Sequence, residues 1–415
     1  MDNLKNDVHK MIEYVKGLLS KSSDPPVSAL QQQVVLLTTA LEKDCISLPS
    51  NVSKVVYSSF QNIMGYLINY KKIKYIDRFN ATNFLLTLET ISNEIEQYSN
   101  HDIVAKPNNE EINDISKAAN KLWDLDINRV IPEKDYILDL QQGKSLWEEG
   151  DMCTNPLFSF VDESVFERPT YKSFRQLLDN YNCNTGISEN ITDEEKKEID
   201  IFLHHCGETA VFKYLHQYLR IQGKTNAASM SDFLKIVKKL WFDLYSRHGR
   251  NDSSGFEHVF IGEINGDEVS GFHNWIQLYN EEKKNKFNYK GFIKPPRKSK
   301  DTNGNSPSAS KAQLINIGFE WMGKQKKISS SFIGVSPEFE IALYTMIFKM
   351  NETEKKIEVP LQISCYAVQI TCFTWNQGPT TYIGTSFPTI PQLSRDEAAS
   401  KIQARARGQR ARSKN

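Results

Sequence analysis

The sequence predicts an α+β fold with antiparallel β-sheets, preceded by an all-helical module and followed by a short basic helix. Three features predict it. Apolar residues recur at helical spacing through about residues 1–105. In residues 112–390, helical patterns come first, and runs rich in β-branched and aromatic residues follow. Residues 395–415 are rich in Lys and Arg. Helices that precede strands within one region are typical of α+β domains.

The composition is that of an ordinary globular protein. Of the 415 residues, 39% are hydrophobic and 25% are charged, and the formal net charge is zero. A molecule without net charge exerts no strong field on nucleic acids or membranes, so any anion-binding site must be local. The six cysteines form no CxxC pair, which argues against a structural zinc site and a disulfide framework. We find neither a signal peptide nor an apolar run that could span a bilayer, and expect a cytoplasmic or nuclear protein.

Residues 1–105 are predicted to form an antiparallel bundle of four helices joined by short loops. The first helix ends before Pro25-Pro26, which interrupts the apolar pattern. No residue of this module belongs to a recognisable chemical pattern, so we interpret it as a scaffold or a partner-binding module. The polar segment 105–114 is predicted to be a linker. The other three helices are expected at about residues 27–45, 51–70 and 80–99.

The second region, residues 112–390, carries the stronger patterns. Helices are expected at Ile115–Asp124 and Met230–Tyr245. The polar segment 294–313 is predicted to be a mobile surface loop inside this domain. Strands are expected in "FEHVFIGEI" (256–264), "SFIGVS" (331–336), "LQISCYAVQITCFTW" (361–375) and "TYIGTSFP" (381–388).

Two histidines lie on either side of a turn signal. Asn265-Gly266 favours a two-residue hairpin loop, and a regular ladder around that loop would pair His258 with His273, about 5 Å apart at the backbone. Alternatively, Gly271 ends the returning strand and a helix begins there. His273 would then lie in the first turn of that helix, where the helix dipole favours an uncharged imidazole. Both arrangements bring the two imidazoles together.

Converging imidazoles have several uses. They can act as a base and an acid, because the pKa of histidine lies near neutrality. They can also be a hydrogen-bonded structural pair, or two metal ligands, although no third ligand stands at an obvious spacing. Glu257 and Glu263 flank His258, and on a strand both would point away from it. These glutamates can bind a cation, orient the loop or simply be solvated, and the sequence leaves these alternatives open.

The segment 252–293, "DSSGFEHVFIGEINGDEVSGFHNWIQLYNEEKKNKFNYKGFI", resembles the signature of the EndoU family, the XendoU-like uridylate-specific endoribonucleases. The resemblance covers about residues 112–390 and includes neither the first hundred residues nor the tail. Other segments that resemble the family occur in order: "AANKLWDLDINRV", "PLFSFVDESVFERPTYKSFRQLLDNY", "LWFDLYSR", "FEWMGKQKKISSSFIGVSPEFEIALYT" and "YIGTSFP".

The resemblance implies a catalytic set of two histidines and a lysine. These are His258 as the acid, His273 as the base and Lys326 as the group that stabilises charge on the phosphorane. Lys324 and Lys327 lie close to Lys326 and are alternative candidates for the catalytic lysine. The KQKK cluster by itself is typical of a solvated, charged turn.

The resemblance also implies a base-binding set. Ser330 and Thr385 match residues of the family's uracil pocket, and Phe387 stands where a tyrosine that stacks on the uracil is expected. Phenylalanine keeps the ring face for stacking but lacks the hydroxyl. Family members commonly depend on Mn²⁺, for which Glu257 and Glu263 are the best placed carboxylates, although the sequence shows no ligand cage.

The implied activity is cleavage of single-stranded RNA at uridylates. Attack by the ribose 2′-OH leaves 2′,3′-cyclic phosphate and 5′-OH ends, and explains a preference for RNA over DNA. The alternative function is a catalytically weak or inactive RNA-binding adaptor that calmodulin-like light chains recruit. Cleavage of a uridine-containing oligonucleotide distinguishes the two.

The tail segment "KIQARARGQRAR" matches the pattern IQxxxRGxxxR and resembles the IQ motif that binds calmodulin or related EF-hand light chains. An isoleucine can anchor one lobe of such a protein, while the arginines pair with its acidic rim. The alternative is a disordered basic arm that holds RNA through its phosphates. The residues that match the pattern are Ile402, Gln403, Arg407, Gly408 and Arg412.

Overall fold

The chain divides into two compact units. One unit is Met1–Lys106 with Phe166–Pro169, and the other is Pro107–Val165 with Thr170–Asn415. None of the helices in the described residues is long and apolar enough to cross a membrane. The computed structural model describes residues 2–21, 23–26, 28–33, 35–36, 81–92, 106–144, 150–293 and 311–390.

Helix α1 (Asp2–Leu19) and a helical segment at residues 81–92 dominate the described part of the first unit. Each buries apolar side chains that recur every three or four residues, as an amphipathic helix does. The predicted helix at 51–70 lies outside the described residues, as do parts of its neighbours. The four-helix bundle therefore stays a prediction. The buried side chains are Val8, Met11, Ile12 and Val15 in α1, and Ala81, Phe84, Leu88 and Ile91 in the second segment.

Helix α2 (Asn109–Asn113) lies within the segment 105–114 that was predicted to be a linker, and the boundary between the two units falls at the start of that segment. The Asn108 side chain accepts hydrogen bonds from the N–H groups of Glu110 and Glu111, and the Glu111 carboxylate accepts one from the Asn108 N–H. This reciprocal cap satisfies N–H groups that a helix start otherwise leaves unpaired, and it stabilises a helix in a polar segment.

The helices predicted at Ile115–Asp124 and Met230–Tyr245 are confirmed with small differences at their C-terminal ends. Short 3₁₀ turns lie at Glu163–Glu167 and Leu177–Asp179. The remaining helices are α3 (Ile115–Leu125), α4 (Pro169–Gln176), α5 (Asp193–Glu208), α6 (Ala210–Ile221), α7 (Met230–Phe242), α8 (Trp275–Lys283) and α9 (Pro337–Met350).

In the described residues, the strands form three sheets whose pairs are antiparallel, apart from one parallel pair between β4 and β7. The two-stranded sheet pairs β1 (Tyr136–Leu138) with β2 (Phe158–Val161). The five-stranded sheet has the order β3-β4-β7-β6-β5, with β3 Glu263–Asn265, β4 Glu268–Ser270, β5 Phe287–Phe292, β6 Leu314–Trp321 and β7 Lys324–Phe332. The three-stranded sheet has the order β10-β9-β8, with β8 Lys356–Ile363, β9 Tyr366–Gln377 and β10 Thr380–Thr389.

The strand predicted across residues 256–264 is wrong for most of its length. Glu257–Ile261 forms a π-helical turn, and a strand begins only at Glu263. All five residues of the turn are buried, and a turn that packs on every side leaves no alternation of inward and outward side chains. The hairpin loop is also displaced by one residue, because Asn265 pairs with Glu268. The strand predicted at 331–336 continues only to Phe332.

The β8–β9–β10 sheet has two different faces. Alternate side chains of β9 are buried on the face that packs against α9, namely Val368, Ile370 and Cys372. Helix α9 itself is buried over nearly its whole length. The opposite face is mostly polar, and β10 on this sheet packs against β7 of the five-stranded sheet. The cleft between these two sheets holds part of the candidate site.

Candidate active site

The backbone around Gly271 brings the two histidines together. His258 lies on the π-helical turn, and its carbonyl oxygen accepts a 3.0 Å hydrogen bond from the Phe272 N–H. The next N–H, that of His273, donates to the carbonyl of Val259 at 2.8 Å. The convergence of the two histidines is therefore present, but it comes from a loop laid against the turn and not from a ladder pair.

Lys326 is attached to the same loop. Its Nζ donates to the carbonyl oxygen of Gly271 at 2.6 Å. Of the two alternative lysines, Lys324 pairs with Asp267 at 2.6 Å, and the Lys327 side chain is exposed. Burial lowers the pKa of Lys326 to about 8, despite the opposing effect of nearby carboxylates. Lys326 is thus the lysine of the cluster that lies with the two histidines.

His273 has a defined tautomer. Its Nδ1 lies 2.9 Å from the carbonyl oxygen of Ser330. A carbonyl can only accept, so Nδ1 carries the proton and the lone pair of the neutral ring is on Nε2. Burial, followed by the Lys326 charge, holds the pKa of His273 well below its usual value. The predicted helix position is wrong, since α8 begins at Trp275, so burial and not the helix dipole is the main cause.

His258 is oriented by an acidic partner. Its Nδ1 lies 2.6 Å from Oε2 of Glu263 and 2.9 Å from Nη1 of Arg247. Burial and the Arg247 charge lower the pKa of His258, whereas Glu263 raises it. Burial alone would raise the pKa of Glu263, but His258, Arg247 and Ser253 together lower it. An ionised Glu263 accepts a hydrogen bond from the protonated Nδ1. Nε2 is therefore the atom of His258 that can exchange a proton with a ligand.

Ser330 and Phe387 contact His273. The Phe387 ring stacks on the His273 imidazole, with centroids 4.7 Å apart and an interplanar angle of 12°. Only the other face of Phe387 is therefore available to a base. Ser330 and Phe387 line one cleft of about 530 Å³. Thr385 precedes Phe387 by two residues on β10, and its buried Oγ1 has no hydrogen-bond partner in the described part of the chain.

The family model described as Endoribonuclease XendoU matches residues 114–388. The chain belongs to the XendoU family. It is 40% identical over 284 residues to "Uridylate-specific endoribonuclease B" of Danio rerio, which covers 66% of this chain and 95% of that protein. It is 39% identical over 287 residues to "Poly(U)-specific endoribonuclease-B" of Xenopus laevis, which covers 67% of this chain and 94% of that protein.

The XendoU fold is also present among solved structures. "The structure of XendoU: a splicing independent snoRNA processing endoribonuclease" superposes with a TM-score of 0.58 and 39% sequence identity. The superposition covers 69% of this chain and 99% of the solved one. Residues 1–113 and 389–415 lie outside the XendoU family match. The N-terminal segment and the basic tail thus lie outside the XendoU domain of this chain.

The two glutamates do not form a site that fits Mn²⁺. Both are buried, so the interpretation that they are solvated is wrong. Glu263 holds His258, whereas both carboxyl oxygens of Glu257 are buried without a hydrogen-bond partner in the described residues. Burial, with Glu263 and other carboxylates nearby, raises the pKa of Glu257 to about 10. Among the described residues, no three His, Cys, Asp or Glu side chains form a group that could hold a metal ion.

Arg247 is a residue of this XendoU site that the sequence analysis missed. Besides approaching His258, its Nη2 donates to the hydroxyl of Tyr245 at 2.8 Å and to the carbonyl of Gly384 on β10. Its guanidinium group also lies over the Trp375 ring, 5.3 Å from the centroid. Nothing in the spacing of the sequence links Arg247 to β10, and only the resemblance of "LWFDLYSR" to the family pointed to this segment.

We expect Gly271→Ala to disrupt the XendoU site. Gly271 has a φ of 62°, and a Cβ there would lie 1.7 Å from the carbonyl oxygen of His258. Backbone strain and this clash should lower the free energy of unfolding by roughly 3 kcal/mol, measured by urea denaturation. Gly266→Ala is the matched control. It has the same φ of 62° but no atom within 4 Å, so it isolates the backbone strain. Equal losses in the two variants would contradict the clash.

We expect Glu263→Gln to reduce kcat by about 10- to 100-fold, as is usual for a lost orienting partner. The Glu263 carboxylate raises the pKa of His258, so its removal lowers that pKa further. His258 is expected to be the acid, which must be protonated to act, so the alkaline limb of the pH–rate profile should move to lower pH. Glu208→Gln, at an exposed helix end, is the control. An unmoved limb in the Glu263 variant would contradict the coupling.

Proposed function

We propose that this protein is an endoribonuclease that cleaves single-stranded RNA at uridylates by transphosphorylation. The observation that carries the proposal is the attachment of His258, His273 and Lys326 to one loop, through the hydrogen bonds of Phe272 and Lys326. The names of the relatives, uridylate-specific and poly(U)-specific endoribonucleases, support the substrate class.

In the proposed reaction, Nε2 of neutral His273 removes the proton of the ribose 2′-OH. The 2′ oxygen attacks the adjacent phosphorus, and the bond from phosphorus to the 5′ oxygen breaks. His258 donates the proton on its Nε2 to that leaving oxygen. The products are a 2′,3′-cyclic phosphate end and a 5′-OH end. A DNA strand lacks the attacking hydroxyl, which makes the reaction specific to RNA.

Charge in the site supports these roles. The low pKa of His273 keeps it neutral and ready to accept a proton at neutral pH. The Lys326 ammonium lies close enough to lower the pKa of both imidazoles, and the same cation would stabilise the negative phosphorane oxygens. A bound phosphodiester is an anion, so it raises the pKa of His258 towards the charged form that an acid requires.

Uridylate specificity is assigned to Ser330, Thr385 and Phe387. The free face of Phe387 offers a stacking surface, and stacking alone accepts any base. Discrimination therefore requires polar groups at the base edge. Ser330 shares a cleft with Phe387, and the unpartnered Oγ1 of Thr385 is a hydrogen-bonding group without a protein partner in the described residues. The phenylalanine at 387 supplies no hydroxyl to this edge.

The test is cleavage of matched oligonucleotides that contain a single ribo-U, ribo-C, ribo-A or deoxy-U, with Mn²⁺ and with a chelator. We expect cleavage at ribo-U alone, with a cyclic phosphate end identified by mass. The comparison with the chelator tests the Mn²⁺ dependence that membership of the family suggests, for which the described carboxylates supply no ligand set. Measurable binding without cleavage in any condition would instead support the RNA-binding adaptor.

We also propose that the tail binds calmodulin or a related EF-hand light chain. The matching residues, Ile402, Gln403, Arg407, Gly408 and Arg412, lie outside the described residues, so the proposal rests on the sequence pattern. A peptide of residues 395–415 should bind calmodulin in calorimetry even without calcium. Replacing Ile402 with Asp should abolish binding. Heat that persists with the Ile402→Asp peptide would instead indicate attraction by the basic charge alone.

A further inference from the structure

Two exposed apolar side chains face the same cleft from different sheets. Phe373 on β9 is 39% exposed, and Ile328 on β7 is 42% exposed. Both line the cleft that contains Ser330 and Phe387. Isolated exposed apolar residues are common on protein surfaces, but a pair that shares one cleft is typical of a binding site.

The cleft adjoins a second cleft that contains the candidate catalytic lysine. Ile328 also lines a neighbouring cleft of about 650 Å³ that contains Lys326. At the other end, Thr371 pairs with Phe387 across the β9–β10 ladder, and Phe373 lies two residues further along β9. That step is about 7 Å along the strand. A nucleotide chain whose uracil lies on Phe387 therefore has its neighbouring base within reach of Phe373.

Polar groups in the cleft suit a nucleotide. The Lys356 Nζ lies 5.9 Å from the centroid of the Phe373 ring and 2.9 Å from the carboxylate of Glu358. Asn316 lies on the opposite wall, and its buried Oδ1 has no hydrogen-bond partner within the described residues. A cation beside an aromatic ring, with an amide across from it, can contact a phosphate, a base face and a base edge together.

We propose that this cleft is a second nucleotide subsite. It holds the base next to the cleaved uridylate between Phe373 and Ile328, and Lys356 contacts that nucleotide's phosphate. The subsite rests on the proposed function, because it lies beside the uridylate that the candidate catalytic residues would cleave. Stacking accepts every base, so the subsite should increase the rate on longer RNA without adding sequence specificity.

The test uses oligonucleotides with one ribouridine in a deoxy strand, whose flanking positions carry either adenine or an abasic site on the 5′ or the 3′ side. For the unmodified protein, kcat/KM should be on the order of tenfold higher when adenine, and not an abasic site, flanks the uridine on one side. A rate difference of this size is what one base stacked on an aromatic ring contributes. Phe373→Ala should bring this ratio close to one, and Phe373→Trp should preserve it. Phe160→Ala is the matched control, since Phe160 is 46% exposed on β2.

The subsite would be overturned if the adenine-to-abasic ratio of kcat/KM in Phe373→Ala equalled that of the unmodified protein. It would also be overturned if Phe160→Ala lowered this ratio as much as Phe373→Ala does. Circular dichroism should be used to check that each variant is folded. Binding of the same oligonucleotides with deoxyuridine in place of ribouridine, measured by fluorescence anisotropy, separates this result from the proposed function. If no oligonucleotide is cleaved, the nuclease proposal fails, and the affinity ratio of adenine to abasic strands still decides the subsite.

Lys356→Gln provides an independent readout. A lysine that contacts one phosphate of a single strand contributes about 0.7 to the slope of log affinity against log salt concentration. The slope should become shallower by that amount, equally for adenine and abasic strands. An unchanged slope would remove Lys356 from the subsite.

Discussion

Replacing His273 with alanine is expected to reduce kcat on a uridine-containing oligonucleotide by about 10²- to 10⁴-fold, the usual contribution of a general base. The Nδ1 contact with the Ser330 carbonyl orients Nε2 as the proton acceptor, and the low pKa keeps that atom unprotonated at neutral pH. Removal of the ring leaves water to take the 2′ proton. Single-turnover kinetics measures the chemical step and excludes an effect on product release.

His204→Ala is the control for the His273 variant, because His204 is an exposed histidine on α5. The double variant of His258 and His273 should lose little more than either single variant, since an acid and a base that act in one step are not additive. Losses that multiply would indicate independent roles. A His273→Ala protein that retains its rate would end the assignment of this residue as the base.

Lys326→Ala is expected to reduce kcat by about 10²- to 10³-fold, as is typical when one preorganised group that stabilises transition-state charge is lost. The KQKK cluster supplies matched controls on the same strand. Lys324 pairs with Asp267, and Lys327 is exposed, so neither variant should lose more than a fraction of the rate. Comparable losses in all three would indicate a diffuse attraction for RNA, which added salt should then abolish.

The pH dependence of kcat/KM provides a second signature of Lys326. The pKa of Lys326 is about 8. Its protonated fraction falls as the pH rises through that value, so the rate should fall more steeply above about pH 8 than the loss of the His258 proton alone would give. Lys326→Arg keeps its charge in this range and should remove the extra steepness. A profile of unchanged slope in the arginine variant would contradict the role.

The local sequence patterns were sufficient for much of the fold. The 3.6-residue period predicted α7, and β-branched and aromatic runs predicted β9 and β10. They failed where burial is uniform. The π-helical turn at Glu257–Ile261 is buried throughout, so its composition resembles that of a strand. They also failed at α2, whose capping box at Asn108 is a local signal that the polar composition of the segment obscured.

By itself, the sequence predicted the family, the two histidines, a cluster of candidate lysines, and helices that precede strands in residues 112–390, because these depend on residues that are close together or on a motif. Only the tertiary structure decided which lysine of KQKK reaches the Gly271 carbonyl, and that Glu263 orients His258 with Arg247 beside it. It also decided that Phe387 stacks on His273. These contacts join separate segments, and their energies depend on burial and distance, which no local pattern of residues encodes.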